Sequence, residues 1–250
     1  MLARKNQFGY DRVASILERL GVSGPNEVIP LLQSSNRRLA ATACSALGYT
    51  RKKAYSTVLL AVLKGKQPSL WMSAAVAISQ LESKRTIRPL IQLMLDPSRS
   101  ARQRQAAAYA LSFTWSGLVD VRYMTSIGEA FVTILQNQHE SPGLRGQVAE
   151  GLAYLHGPCA GAPRDRRRRA YREAGQILMT ALGDPTAEVR FWSAFALGSM
   201  RYRAALPVLR KLARRDKGRF GNWWTVGEEA ADAVDHINGG PLPIRIGSSS

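Results

Sequence analysis

Histidine and cysteine, the residue types on which metal and nucleophile chemistry most often rests, are few in this 250-residue chain and poorly spaced for it. His139, His156 and His236 stand far apart with no HExxH or HxxxH pattern, so no helix offers two imidazoles to one metal. His156 and Cys159 form the one suggestive pair, in YLHGPCAGAP after a helix. Two ligands without two more point to a structural or incidental pair rather than zinc. A phosphate loop of the GxxxxGK type is missing, because the glycines between 157 and 161 are followed by no lysine. Nucleotide hydrolysis is therefore not expected, and neither is a cofactor or a catalytic metal.

Positive charge is what the chain has in excess. Thirty-five Lys and Arg face eighteen Asp and Glu, for a net charge of +17, which selects an acidic partner over a basic one. The excess is uneven: residues 1–125 hold eighteen basic and six acidic residues, residues 126–250 seventeen and twelve. Five arginines crowd into six positions, Arg164, Arg166, Arg167, Arg168 and Arg169, read as part of a long exposed connection. Self-repulsion in such a run is easiest to explain by an anionic partner. Smaller clusters stand at Arg51, Lys52 and Lys53, at Lys84 and Arg85, and at Arg201 and Arg203.

The elements that must position these groups show in a self-similarity. Alanine-rich segments end on an apolar anchor, Leu47, Ile78, Leu111, Leu152, Leu197 and Val234, at intervals of 31, 33, 41, 45 and 37 residues. One position before each anchor stands Ala46, Ala77, Ala110, Gly151, Ala196 or Ala233; three before it stands Cys44, Ala75, Ala108, Ala149, Ala194 or Ala231. Two small columns at helical offsets predict six helices that pack closely on one another through the same face. A second apolar-striped helix precedes each, as in Ile87, Leu90, Ile91 and Met94, with Pro30, Pro89 and Pro207 expected in first turns. Asp96-Pro97, Asp184-Pro185, Ser141-Pro142 and Lys66-Gln67-Pro68 mark the turns inside each pair.

The segments VIPLLQSSNRRLAATACSALG, TIRPLIQLMLDPSRSARQRQAAAYALS and ILMTALGDPTAEVRFWSAFALGSM resemble HEAT-like repeats, in particular the short bacterial kind grouped with phycobilisome lyases. The resemblance implies an all-α, right-handed α-α solenoid of about six helix pairs over residues 26–238. A capping helix in residues 1–25 would cover its first apolar face, and residues 239–250 would form a flexible tail.

In that register the basic clusters fall after the anchor helices, where equivalent turns would stack into one basic edge suited to a polyanion. A second row lies seven positions before the anchors, at Trp71, Arg104, Arg145 and Arg190, with Trp192 five before its own. Arrays that resemble this one commonly pair such arginines with a turn aspartate, and Asp96 and Asp184 are placed for it, so a structural ladder is preferred to a ligand-binding row. Trp223 and Trp224 are adjacent; read as helical neighbours about 100° apart, one ring is left to solvent or a partner.

Cys44 and Cys159 are too few for a disulfide framework, no window reaches the length of a membrane span, and the N-terminus lacks a signal-like apolar stretch. A cytoplasmic location is expected. The leading functional reading is a non-enzymatic binding or scaffold protein whose concave helix row and basic edge engage an acidic protein. Nucleic acid is the alternative partner, including at the outside a DNA glycosylase-like role for which Asp120 near Trp115 is the nearest acid and aromatic combination. A phycobilin lyase-like chaperone, suggested only by the repeat subtype, is the other alternative.

Overall fold

The computed structural model of the chain describes residues 15–17, 24–113, 121–156 and 164–241, and every regular element among them is helical. Two compact units divide the chain, Met1–Leu118 and Val119–Ser250. In the first, a 3-10 helix over Pro25–Gln33 pairs with α1 (Arg37–Tyr49), α2 (Ser56–Lys64) with α3 (Trp71–Leu81), and α4 (Lys84–Leu95) with α5 (Ala101–Phe113). In the second, α6 (Val121–Gln136) pairs with α7 (Pro142–His156), α8 (Arg164–Ala181) with α9 (Ala187–Ser199), and α10 (Leu206–Arg215) with α11 (Val226–Ile237). The predicted helix pairs are thus present, three in each unit.

Local sequence chemistry explains where the second helices begin. The Asn36 carboxamide accepts from the Arg38 and Leu39 amides at 3.1 and 3.3 Å, which satisfies two orphan donors of α1. Thr225 opens α11 with a capping box: its hydroxyl accepts from the Glu228 amide at 3.1 Å, and the Glu228 carboxylate accepts from the Thr225 amide at 2.7 Å.

Within each unit the second helices stack on one another, α1 on α3 on α5 and α7 on α9 on α11. The small columns are the reason they can. Leu47, Ile78, Leu111, Leu152 and Leu197 are fully buried, as are Cys44, Ala75, Ala108, Ala149 and Ala194. A Cβ placed on Gly48 would lie 2.7 Å from the Ala77 Cα, and one on Gly198 would lie 2.8 Å from the Ala233 Cα. Each glycine follows its anchor and abuts the small column of the next repeat, at the same register in both units. Gly198→Ala therefore sets a helix-propensity gain of about 0.5–1 kcal/mol against an overpacking cost of about 1–3 kcal/mol with backbone as the immovable partner. A net loss of about 1–2 kcal/mol in urea unfolding is expected.

Several sequence expectations are corrected. Pro30 and Pro89 lie inside their helices rather than in first turns. Around Pro30 the segment winds as a 3-10 helix; around Pro89 α4 persists because Ile87, Leu90, Leu93 and Met94 are buried on one face. The arginine run at 164–169 is not in a connection: it forms the start of α8, since the Gly and Pro breakers end at Pro163 and arginine is a good helix former. In the terminal helix α11 the anchor Val234 and Ala231 are only half-buried, because α11 has no succeeding second helix among the described residues. Of the expected capping segment 1–25 only 15–17, which are helical, and 24–25 are described, and of the tail only 239–241.

Candidate functional site

Basic residues follow the ends of α1 and α3 in the first unit and the end of α9 in the second. Arg51, Glu82 and Arg201, each four residues beyond its anchor, take the left-handed conformation with φ of 54°, 48° and 52°. None is glycine, so each carries a local backbone cost of about 1–2 kcal/mol. In the first unit Arg51, Lys52, Lys53, Lys84 and Arg85 are exposed; in the second, Arg169, Arg201 and Arg203 are. Arg169 donates from Nε to the Glu173 carboxylate at 2.8 Å on the exposed face of α8. The side chains of Arg164, Arg166, Arg167 and Arg168 lie outside what is described.

The second row of sequence candidates divides. Arg145 on α7 is buried and holds the carboxylate of Asp184 in the following repeat through both terminal nitrogens. Arg190 on α9 repeats the arrangement one repeat later, binding Asp216 at 2.7 and 3.1 Å and the carbonyls of Asp184 and Pro185 at 2.8 and 3.0 Å. Arg104 is buried and donates to the Met94 carbonyl at 2.6 Å. The charges of Arg145 and Arg190 thus point into the seams between repeats, as a structural ladder requires. Asp184 and Asp216 are held below the usual carboxylate range: burial pushes both up, but hydrogen bonds from Thr186 and Arg145 to the first, and from Arg190 and Gly218 to the second, outweigh it.

Asp96 does not join the ladder. The position that would face it in the preceding repeat is Trp71, which is buried and donates its indole N–H to the Gly65 carbonyl at 2.9 Å. Asp96 instead pairs with Arg99 at 3.3 Å on the surface. The seam between the second and third pairs is tied by Gln103, whose buried amide donates to the Leu63 carbonyl at 2.8 Å.

Trp192 has a different setting. It lines a cavity of about 210 Å³ in the second unit, bounded by α7, α9, α11 and the connection before α11. Phe191, Phe195, Tyr154, Trp223 and Trp224 share the walls, and Glu150, Glu229, Asp232 and His236 supply the ionisable groups. Trp223 and Trp224 stand in the non-helical connection, contrary to the sequence reading, yet one ring does meet solvent: Trp223 is 39% exposed. Trp224 turns its indole N–H to the Glu229 carboxylate at 2.8 Å. Burial pushes the Glu150 carboxyl up to about 7, despite hydrogen bonds from Gln147 at 2.8 Å and Tyr154 at 3.3 Å. His236 sits with Nδ1 3.0 Å from the Gly240 carbonyl, which makes Nδ1 its protonated nitrogen.

The sequence reading missed the acidic residues of this cavity, although the repeat register carries their signal. The positions two before the anchors of the last three pairs are Glu150, Phe195 and Asp232; five before are Gln147, Trp192 and Glu229; two after are Tyr154, Ser199 and His236. Eight of these nine line the cavity, so one stripe of the second helices forms most of its wall.

Cys44 is buried in a small column, and burial pushes its thiol up to about 12, so it is packing rather than a nucleophile. Among the described residues no cluster of His, Cys, Asp and Glu could hold a metal ion, and no helix is long and apolar enough to cross a membrane. Cys159, Trp115 and Asp120 lie outside the described residues, as does the side chain of His156.

Residues 25–112 and 128–226 match the family model for HEAT repeats. No curated protein matches the sequence. Among solved structures, one engineered protein is similar at 20% identity with a TM-score of 0.52, over 92% of this chain and 61% of its own length. The chain thus spans less than two thirds of that protein. A second engineered protein is similar at 17% identity with a TM-score of 0.53, over 88% of this chain and all of its own. The complex of CpcE and CpcF of phycocyanin lyase from Nostoc sp. is similar at 20% identity with a TM-score of 0.44, over 86% of this chain and 95% of that one.

Proposed function

The chain belongs to the HEAT-repeat family, and from that membership we propose that it is a non-enzymatic binding scaffold which engages an acidic protein through the basic edge at the ends of its second helices. The observation that supports this most is the repeated exposure of basic side chains at one register, Arg51, Lys52 and Lys53 after α1, Lys84 and Arg85 after α3, and Arg201 and Arg203 after α9. Such charges reach outward, whereas Arg145 and Arg190 are directed to Asp184 and Asp216 and offer little to a ligand. An acidic protein segment suits the edge better than an extended nucleic acid, because α11 of the second unit carries the exposed Glu228 and Asp235 and would repel a long strand of even negative charge.

The test is fluorescence anisotropy of the full chain with a labelled polyglutamate peptide and with a generic DNA duplex at several salt concentrations. Replacing Arg51, Lys52 and Lys53 together with glutamate should weaken polyglutamate binding by about tenfold and leave the helical circular dichroism unchanged. Tighter duplex binding with a salt slope of about −0.9 per phosphate contacted, and lost in the same variant, would move the partner to nucleic acid. Binding that ignores the cluster in both arms would remove the edge as the site.

A further inference from the structure

The aromatic cavity of the second unit has a chemistry opposite to that of the rest of the molecule. In a chain of net charge +17 its lining contains Glu150, Glu229 and Asp232 and no lysine or arginine. Phe220 stacks on Trp223 at 20° and 6.3 Å, while the cavity-lining rings meet one another at tilted or steep angles. Trp192 meets Phe191 at 85° and 5.2 Å, Phe195 at 86° and 5.6 Å, and Trp223 at 70° and 5.5 Å between centroids. Tyr154 closes on Phe195 at 63° and 6.1 Å. Six rings, those of Tyr154, Phe191, Trp192, Phe195, Trp223 and Trp224, line the cavity.

Ring faces carry the negative end of the aromatic quadrupole and attract a cation, most strongly for tryptophan. Carboxylates in the same wall add charge of the same sign, and no lysine or arginine lines the cavity to hold a phosphate or a carboxylate ligand. Its volume of about 210 Å³ is below the roughly 300–1,000 Å³ of sites for drug-sized ligands, which limits the occupant to a compact group. A strongly hydrated primary ammonium gives up water hydrogen bonds that ring faces do not replace, whereas a methylated ammonium is itself apolar at its surface and loses little.

We propose that this cavity is a binding site for a compact quaternary alkylammonium ligand, with Trp192 and Trp223 providing ring faces and Glu150, Glu229 and Asp232 the charge. The site is independent of the basic edge, which lies at the helix ends and takes the opposite charge. Trp223, at 39% exposure, forms the rim through which a ligand enters.

Calorimetry or intrinsic tryptophan fluorescence of the full chain, titrated with choline, tests this against two controls: 3,3-dimethylbutan-1-ol, which has the same shape without the charge, and acetate. Choline should bind saturably, the neutral alcohol at least about tenfold more weakly, and acetate not at all. Trp223→Ala and Asp232→Asn should each weaken choline by about five- to tenfold. Trp223 is exposed and Asp232→Asn is isosteric, so neither should disturb folding, and circular dichroism checks that they do not. Equal affinity for the neutral alcohol, absence of saturable choline binding, or indifference to both substitutions in folded protein would each overturn the proposal.

Discussion

Arg145→Met should destabilise the second unit by about 3–5 kcal/mol, read from urea unfolding, because it leaves the Asp184 carboxylate buried without its counter-charge. Both side chains of the pair are only 5% exposed, so water cannot replace the lost guanidinium. The surface pair Arg99–Asp96, at 43% and 38% exposure, is the internal control, and Arg99→Met should cost less than about 1 kcal/mol. Replacing Arg145 and Asp184 together with apolar residues should recover part of the loss, although Asp184 also accepts from the Thr186 amide at 2.9 Å and hydroxyl at 2.6 Å and so holds the turn before α9. The acid limb of unfolding should change as well. Asp184 is held below its ordinary 3.8, so its contribution to stability is present above that pH and is lost as pH falls through the lower folded value. Removing Arg145 should shrink that contribution. A variant no worse than Arg99→Met would show that the arginine ladder does not hold the repeats together.

Glu150→Gln should act in the other direction and stabilise the protein at pH 8. Burial raises the Glu150 carboxyl from its ordinary 4.5 to about 7, so the folded state binds a proton that the unfolded state has released between those values. Stability from this group is fully present below pH 4.5 and is lost as pH rises through about 7. The difference corresponds to a penalty of about 3 kcal/mol well above pH 7. The substitution should remove that penalty and the pH dependence that produces it, with little effect at pH 4. Subtracting the two pH profiles isolates Glu150 from Tyr154 on its own helix and from Glu229, Asp232 and His236, which line the same cavity from α11. At pH 8, where Glu150 is ionised, the same variant should bind choline more weakly while folding more tightly. A carboxylate that costs stability and aids ligand capture is what a binding site retains. Identical pH profiles for the two proteins would show that Glu150 is not desolvated in solution.

Helix pairs, their number and the faces they share were legible in the amino-acid order, because helical periodicity is local. Ala46, Ala77 and Ala196 recur one residue before their anchors whatever surrounds them, and only a close helix contact rewards small residues at that spacing. The turn prolines and aspartates were equally readable, since they act on their own backbone. Where the reading failed, local rules competed. The run at 164–169 has good helix formers as well as an awkward charge, and its backbone propensity prevails.

Only the tertiary structure decided which arginines remain available. Arg145 and Asp184 are 39 residues apart, and their pairing depends on how one repeat seats on the next; Asp96, with Trp71 in the facing position, turns to Arg99 three residues away. The cavity is of the same kind. Glu150, Trp192 and Glu229 come from three successive second helices, and Trp223 joins them from a connection whose course no periodicity specifies. Their charge and ring character are written in the sequence, but the convergence that brings three acids and a set of aromatic side chains around one cavity exists only once the helices have packed, because it arises between repeats rather than within any of them.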